Sequence, residues 1–188
     1  MNNQDLLRQF LEYPLWTTAP IFDRFRELPG AVFREADSEG KERFVYIEGS
    51  RPDKVVLVAH ADTVMDEWYI PRYHHEEPYE HDVVQDGDFF VARKRTGDRS
   101  VLGADDRAGC AILWALKDSG HSLLVTDGEE HGQIGSVWLM KEHQDIADKL
   151  NGHQFMIQFD RRNGTDYKCY DVGTDAFREF VEERFGYE

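Results

Sequence analysis

The sequence predicts an α/β protein, a three-layer sandwich with helices on both faces of a mixed, largely parallel central sheet. Three observations lead there. First, VVLVA (55–59), SLLVT (122–126) and FMIQF (155–159) are apolar runs without alternation, the pattern of strands covered on both faces in a parallel sheet. Second, helical patterns separate these runs, as the crossovers of parallel strands require. Third, no shift of composition interrupts the 188 residues, so residues 1–188 read as a single domain.

The elements follow in order. Residues 3–13 and 20–28 are predicted helices, the first with Leu6, Leu7, Phe10 and Leu11 on one face. AVFREAD and RFVYIEG read as a strand pair turning at Ser38–Gly40, and VVLVA follows as the first buried strand. Region 66–100 is rich in Glu, His, Tyr and Asp, and we read it as a surface excursion with a turn at Gln85–Asp88 and a strand FFVARK. Residues 106–118, DRAGCAILWALKD, are apolar nearly all round, as a helix lying against a sheet is. SLLVT is the next strand, residues 133–150 give one or two helices, and FMIQF is the third buried strand. A strand YKCYDV and a helix over 174–185, with Phe177, Phe180, Val181 and Phe185 on its apolar face, close the chain.

Composition excludes several classes of function. The net charge of −15 repels nucleic acid and anionic membrane surfaces. No apolar run approaches the roughly 20 residues of a membrane span, and the start MNNQDLLRQFLEY lacks the basic-then-apolar pattern of a signal peptide. With only two cysteines, Cys110 and Cys169, a disulfide framework is not indicated and a reducing cytoplasmic location is expected.

The ends of the three buried strands carry the chemistry. VVLVA runs into His60 and Asp62, SLLVT into TDGEEHG with Glu129 and Glu130, and FMIQF into Asp160. Ligands of open α/β sheets bind outside the carboxyl ends of the strands. VLGADDRAG (101–109) adds Asp105 and Asp106 where a helix begins. Each piece has a structural reading: a hydrogen-bonded pair for His60 and Asp62, a helix cap for Asp105–Asp106, a solvated turn for Glu129–Glu130, an ion pair with the following arginines for Asp160. Together, at one edge of the sheet, they suit two cations held by imidazole and carboxylate ligands. In that reading His60 is a ligand and Asp62 fixes its second nitrogen. A shared aspartate bridges the metals, one glutamate ligates, and its neighbour is free to act as general base.

The ordered set HAD (60–62), LGADDRAG (102–109), DGEEHG (127–132) and FDRR (159–162) resembles the co-catalytic di-zinc exopeptidases, a clan of bacterial aminopeptidases, tripeptidases, aminoacylases and glutamate carboxypeptidases. The resemblance spans roughly residues 50–175. It implies a phosphorylase/hydrolase-like fold and cleavage of a peptide or N-acyl amino acid by a water activated between two zinc ions. It also implies roles: His60 and Asp160 on the first zinc, Asp105 bridging through a cis Asp105–Asp106 peptide, Glu130 on the second zinc, Glu129 as base and Asp62 orienting His60. Two departures are visible. The clan closes its second metal site with a histidine near the C-terminus, whereas the histidines here are 60, 74, 75, 81, 121, 131, 143 and 153, none beyond Asp160. Nor is there length for the lid domain many members carry. The expectation is therefore a C-terminally shortened catalytic domain with an incomplete second zinc site and a surface that favours a homodimer. The alternative is a non-catalytic metal-binding or interaction relative.

Overall fold

The computed structural model describes residues 2–37, 40–65, 81–94, 96–161, 168 and 175–185. Two helices, α1 (Asn3–Leu11) and α2 (Ala19–Arg26), open the chain. Asn2 caps α1 by accepting the Asp5 N–H at 2.8 Å, and Pro14, which lacks an amide hydrogen, stands just beyond its end. This explains why α1 is shorter than the apolar pattern suggests. The strands β1 (Ala31–Glu35) and β2 (Arg43–Ile47) form the expected antiparallel pair, Ala31 opposite Ile47; Ser38 of the predicted turn lies outside the described residues.

The buried runs become β3 (Val55–His60), β6 (Ser122–Thr126) and β7 (Phe155–Gln158), and the sheet order is β1-β2-β6-β3-β7. β3 runs parallel to both β6 and β7, while β2 pairs antiparallel with β6, so the sheet is mixed as expected. Between β3 and β6 the excursion holds a hairpin, β4 (Asp82–Asp86) and β5 (Phe89–Arg93), then α3 (Ala104–Ala115). His74 and His75 lie outside the described residues. The 133–150 region divides at His143 into α4 (Ile134–Glu142) and α5 (Gln144–Asn151). The chain closes with α6 (Asp175–Phe185); of the predicted strand YKCYDV only Lys168 is described.

The alternation of strand side chains separates two cores. Val45, Leu57, Ala59, Leu123 and Val125 pack with Phe10, Ile21, Phe25 and Leu113 from α1, α2 and α3. Their neighbours Phe44, Tyr46, Val56, Val58 and Leu124 pack on the other face with Leu139, Ile146 and Leu150 of α4 and α5. These are the three layers the sequence predicts. One expectation fails. FMIQF reads as a strand covered on both faces, yet all four residues of β7 are exposed. Among the described residues β7 is the edge strand, and of its residues only Phe155 meets a ring, stacking on Phe177 at 5.2 Å. No helix among the described residues is long and apolar enough to cross a membrane.

Close packing also fixes how α4 leaves the sheet. The Gly135 N–H donates to the Asp127 carbonyl at 2.9 Å. A Cβ at Gly135 would stand 2.6 Å from the carbonyl oxygens of both Arg43 and Asp127. Gly135→Ala is therefore expected to force α4 away from β2 and to cost about 1–3 kcal/mol, the usual scale of overpacking. Urea unfolding checks this; an unchanged midpoint would show that α4 shifts freely.

Candidate metal centre

His60 is the last residue of β3, opposite Thr126 of β6. Its backbone is held by α3 on both sides: its N–H donates to Asp106 Oδ2 at 3.1 Å, and its carbonyl accepts the Cys110 thiol at 3.3 Å. The ring is equally constrained. Nδ1 lies 3.1 Å from the Asp62 carbonyl and 3.3 Å from its Oδ1, and Nε2 lies 3.2 Å from Asp105 Oδ1. With Nδ1 turned to the oxygens of Asp62, Nε2 is the nitrogen aimed at the site. Burial opposes a charge on this ring, but the hydrogen bonds to Asp105 and Asp62 prevail and push its pKa up to about 11.

Asp62 is fully buried and serves two segments. Besides its contact with His60, its Oδ1 accepts the Glu129 N–H and its Oδ2 the Glu130 N–H, both at 3.1 Å. Burial alone would raise this carboxyl; His60 and the two amides hold it below its ordinary value. Asp62 thus ties the His60 ring to the glutamate-bearing turn. His131 also leans on Asp62, its Nδ1 3.7 Å from Oδ2.

Asp105 and Asp106 separate into two environments across a cis peptide bond, the isomer expected from the resemblance. Asp105 projects outward, its side chain 67% exposed, and the hydrogen bond from His60 keeps its pKa low. Asp106 turns inward and accepts the Gly109 N–H at 3.0 Å, the helix-cap reading of this pair. Burial pushes its pKa up to about 8. Its carboxylate fills the space of an absent side chain, for a Cβ on Gly109 would lie 2.2 Å from Asp106 Oδ1.

Ligand atoms of His60, Asp105 and Glu130 all fall within 4.8 Å of one another. Asp160, just past β7, accepts the Gln158 side-chain amide at 3.1 Å and lies outside this trio. Burial and the Asp105 charge both raise the Asp160 pKa. Burial and the neighbouring Asp105 charge raise Glu130 as well, against the pull of His60. Imidazole and carboxylate donors at this spacing, with an exposed side, fit a divalent cation such as zinc. Glu129 is half-buried beside the trio and outside it.

Three buried groups behind the site were not singled out from the sequence as functional. Asp106 carries a helix cap and the His60 amide, Asp127 anchors the glutamate turn, and Arg107 donates from Nη2 to the carbonyls of Pro14 and Thr17, both at 2.9 Å. The helix-cap reading of Asp105–Asp106 was the one signal among them; Asp127 and Arg107 carry none in the sequence.

The sheet order and the placement of the site allow comparison with solved structures. The fold is similar to that of aminopeptidase PepT from Bacillus cereus. The superposition gives a TM-score of 0.57 at 16% identity and covers 87% of this chain and 44% of the aminopeptidase. Aminoacylhistidine dipeptidase from Vibrio alginolyticus matches with a TM-score of 0.46 at 20% identity, over 72% of this chain and 29% of the dipeptidase. The chain thus spans less than half the length of either. No protein-family model matches the sequence, and no curated protein matches it either.

Proposed function

We propose that this chain carries the metal centre of a hydrolase that cleaves a peptide or related amide bond, of the di-zinc exopeptidase type its motifs resemble. One observation carries the reading: His60, Asp105 and Glu130, delivered by three separate segments, bring their ligand atoms within 4.8 Å of one another at the carboxyl end of the sheet. In this reading His60, Asp105, Glu130 and Asp160 hold the metals, Asp105 being the shared ligand.

When bound, the zinc ions would act as Lewis acids on the scissile carbonyl and acidify the attacking water. The protein's own part is positioning and proton transfer. Asp62 holds the His60 ring through Nδ1 and the backbone of both glutamates through their amides. The Glu129 carboxylate takes a proton from water as its oxygen bonds to the carbonyl carbon. It then delivers that proton to the leaving nitrogen as the C–N bond breaks, giving a carboxylic acid and an amine, between which the remaining water proton equilibrates.

The experiment is hydrolysis of a panel of aminoacyl and N-acyl substrates by the chain after chelation and after reconstitution with zinc. Turnover that disappears with chelator and returns with zinc is expected. Zinc binding without turnover on any member of the panel would favour the non-catalytic relative. Turnover indifferent to chelation would refute the metal centre.

A further inference from the structure

We infer that Asp127 is a positioning residue that sets the glutamate-bearing turn against the metal centre; this rests on the metal-centre reading above. Asp127 follows β6 directly and its side chain has no exposed surface. Four donors converge on it. Oδ1 accepts the Gly128 N–H at 2.9 Å and faces Lys41 Nζ at 3.9 Å; Oδ2 accepts Thr18 Oγ1 at 2.8 Å and the Arg43 Nε–H. Its main chain is tied as firmly, the N–H to the Arg43 carbonyl at 3.2 Å and the carbonyl to the Gly135 N–H at 2.9 Å. One residue thus fastens β2, the start of α2 and the start of α4.

The turn that follows is held at its far side by Asp62, which accepts the amides of Glu129 and Glu130. It is clamped between two buried carboxylates, one facing the centre and one behind it. The rear clamp also reaches the other ligand-bearing segment. Arg107, two residues beyond Asp105, fixes the carbonyls of Pro14 and Thr17, and the next residue, Thr18, donates to Asp127. Contacts therefore run from the aspartate of α3 through the 14–18 segment to the glutamates. Lys41 is buried and Arg43 half-buried, giving two cations on one carboxylate. Such clusters are weak sources of stability, since apolar replacements often serve as well. Their geometry is what an apolar substitute would lose.

The test uses the full chain and cobalt(II) as probe, with three readouts: cobalt affinity, the visible spectrum of the bound ion, and the urea unfolding midpoint. Asp127→Asn keeps the shape and removes the charge. It should weaken cobalt binding about 10–100-fold, the usual cost of losing a group that orients ligands, and should alter the spectrum. Lys41→Met combined with Asp127→Asn restores the local charge. It should recover the unfolding midpoint without recovering affinity or spectrum. Affinity and spectrum that return together with stability would overturn the inference and reduce Asp127 to a structural counter-ion. Wild-type-like cobalt binding in both variants would overturn it too. A wild type that binds no cobalt would overturn the metal-centre reading itself. If Asp127→Asn does not fold, Thr18→Val, which removes one donor and no charge, should still shift the spectrum; an unchanged spectrum would overturn the inference.

Discussion

Glu129→Gln is expected to keep its full complement of metal and to lose turnover by about 10²–10⁴-fold, the range of general-base catalysis. The two neighbouring glutamates leave one turn whose amides are both bound to Asp62 at 3.1 Å, so their backbones are equally fixed and only the side chains differ. Glu130 places an oxygen in the donor trio with His60 and Asp105, and Glu129 does not. A glutamine at 129 preserves the size and the hydrogen-bonding reach of the side chain. Its amide oxygen cannot hold the proton taken from water, so the step fails while binding survives. Glu130→Gln should behave oppositely, losing metal first. Steady-state kinetics and elemental analysis of the two variants, run side by side on the zinc-reconstituted protein, check the assignment. Reversed phenotypes would exchange the two roles.

What was legible in the sequence, and what was not, divides along the range of the interactions. The strands β3 and β6 were visible because Val56–Ala59 and Leu123–Val125 are covered on both faces and so carry no polar alternation. The candidate residues His60, Glu129, Glu130 and Asp160 were proposed because they follow strand ends, where a parallel sheet presents ligands, and of these the structure brings His60 and Glu130 together, with Asp105. The exposure of β7 was not legible: FMIQF has the composition of a buried strand, and its place at the edge belongs to the strand order, which the run itself does not encode. The supporting residues were hidden for a related reason. Asp127 looks like any turn aspartate until Thr18, 109 positions away, and Arg43, 84 positions away, are brought to it. Asp106 and Asp105 are adjacent and chemically identical, and only the fold points one at the helix amides and the other at His60.

The centre itself stands or falls on His60. Its side chain is 1% exposed, held through Nδ1 by Asp62, and directs Nε2 at Asp105. It is the sole nitrogen donor of the trio; Asp105 and Glu130 offer oxygen only. His60→Ala leaves neither proposed metal with more than two carboxylates, Asp105 and Asp160 on the first and Asp105 and Glu130 on the second, fewer than the three protein groups of an ordinary catalytic zinc, so the variant should lose its metal. Asp62 would keep the Glu129 and Glu130 amides, so the turn and the fold should survive, which circular dichroism of the variant verifies. The decisive measurement is the zinc content of folded wild type and His60→Ala after equilibrium dialysis against buffered zinc at neutral pH. The account predicts about one or two zinc ions per wild-type chain, as a co-catalytic centre requires, and essentially none in the variant. A zinc-free wild type, or a folded variant that retains the metal, would contradict it.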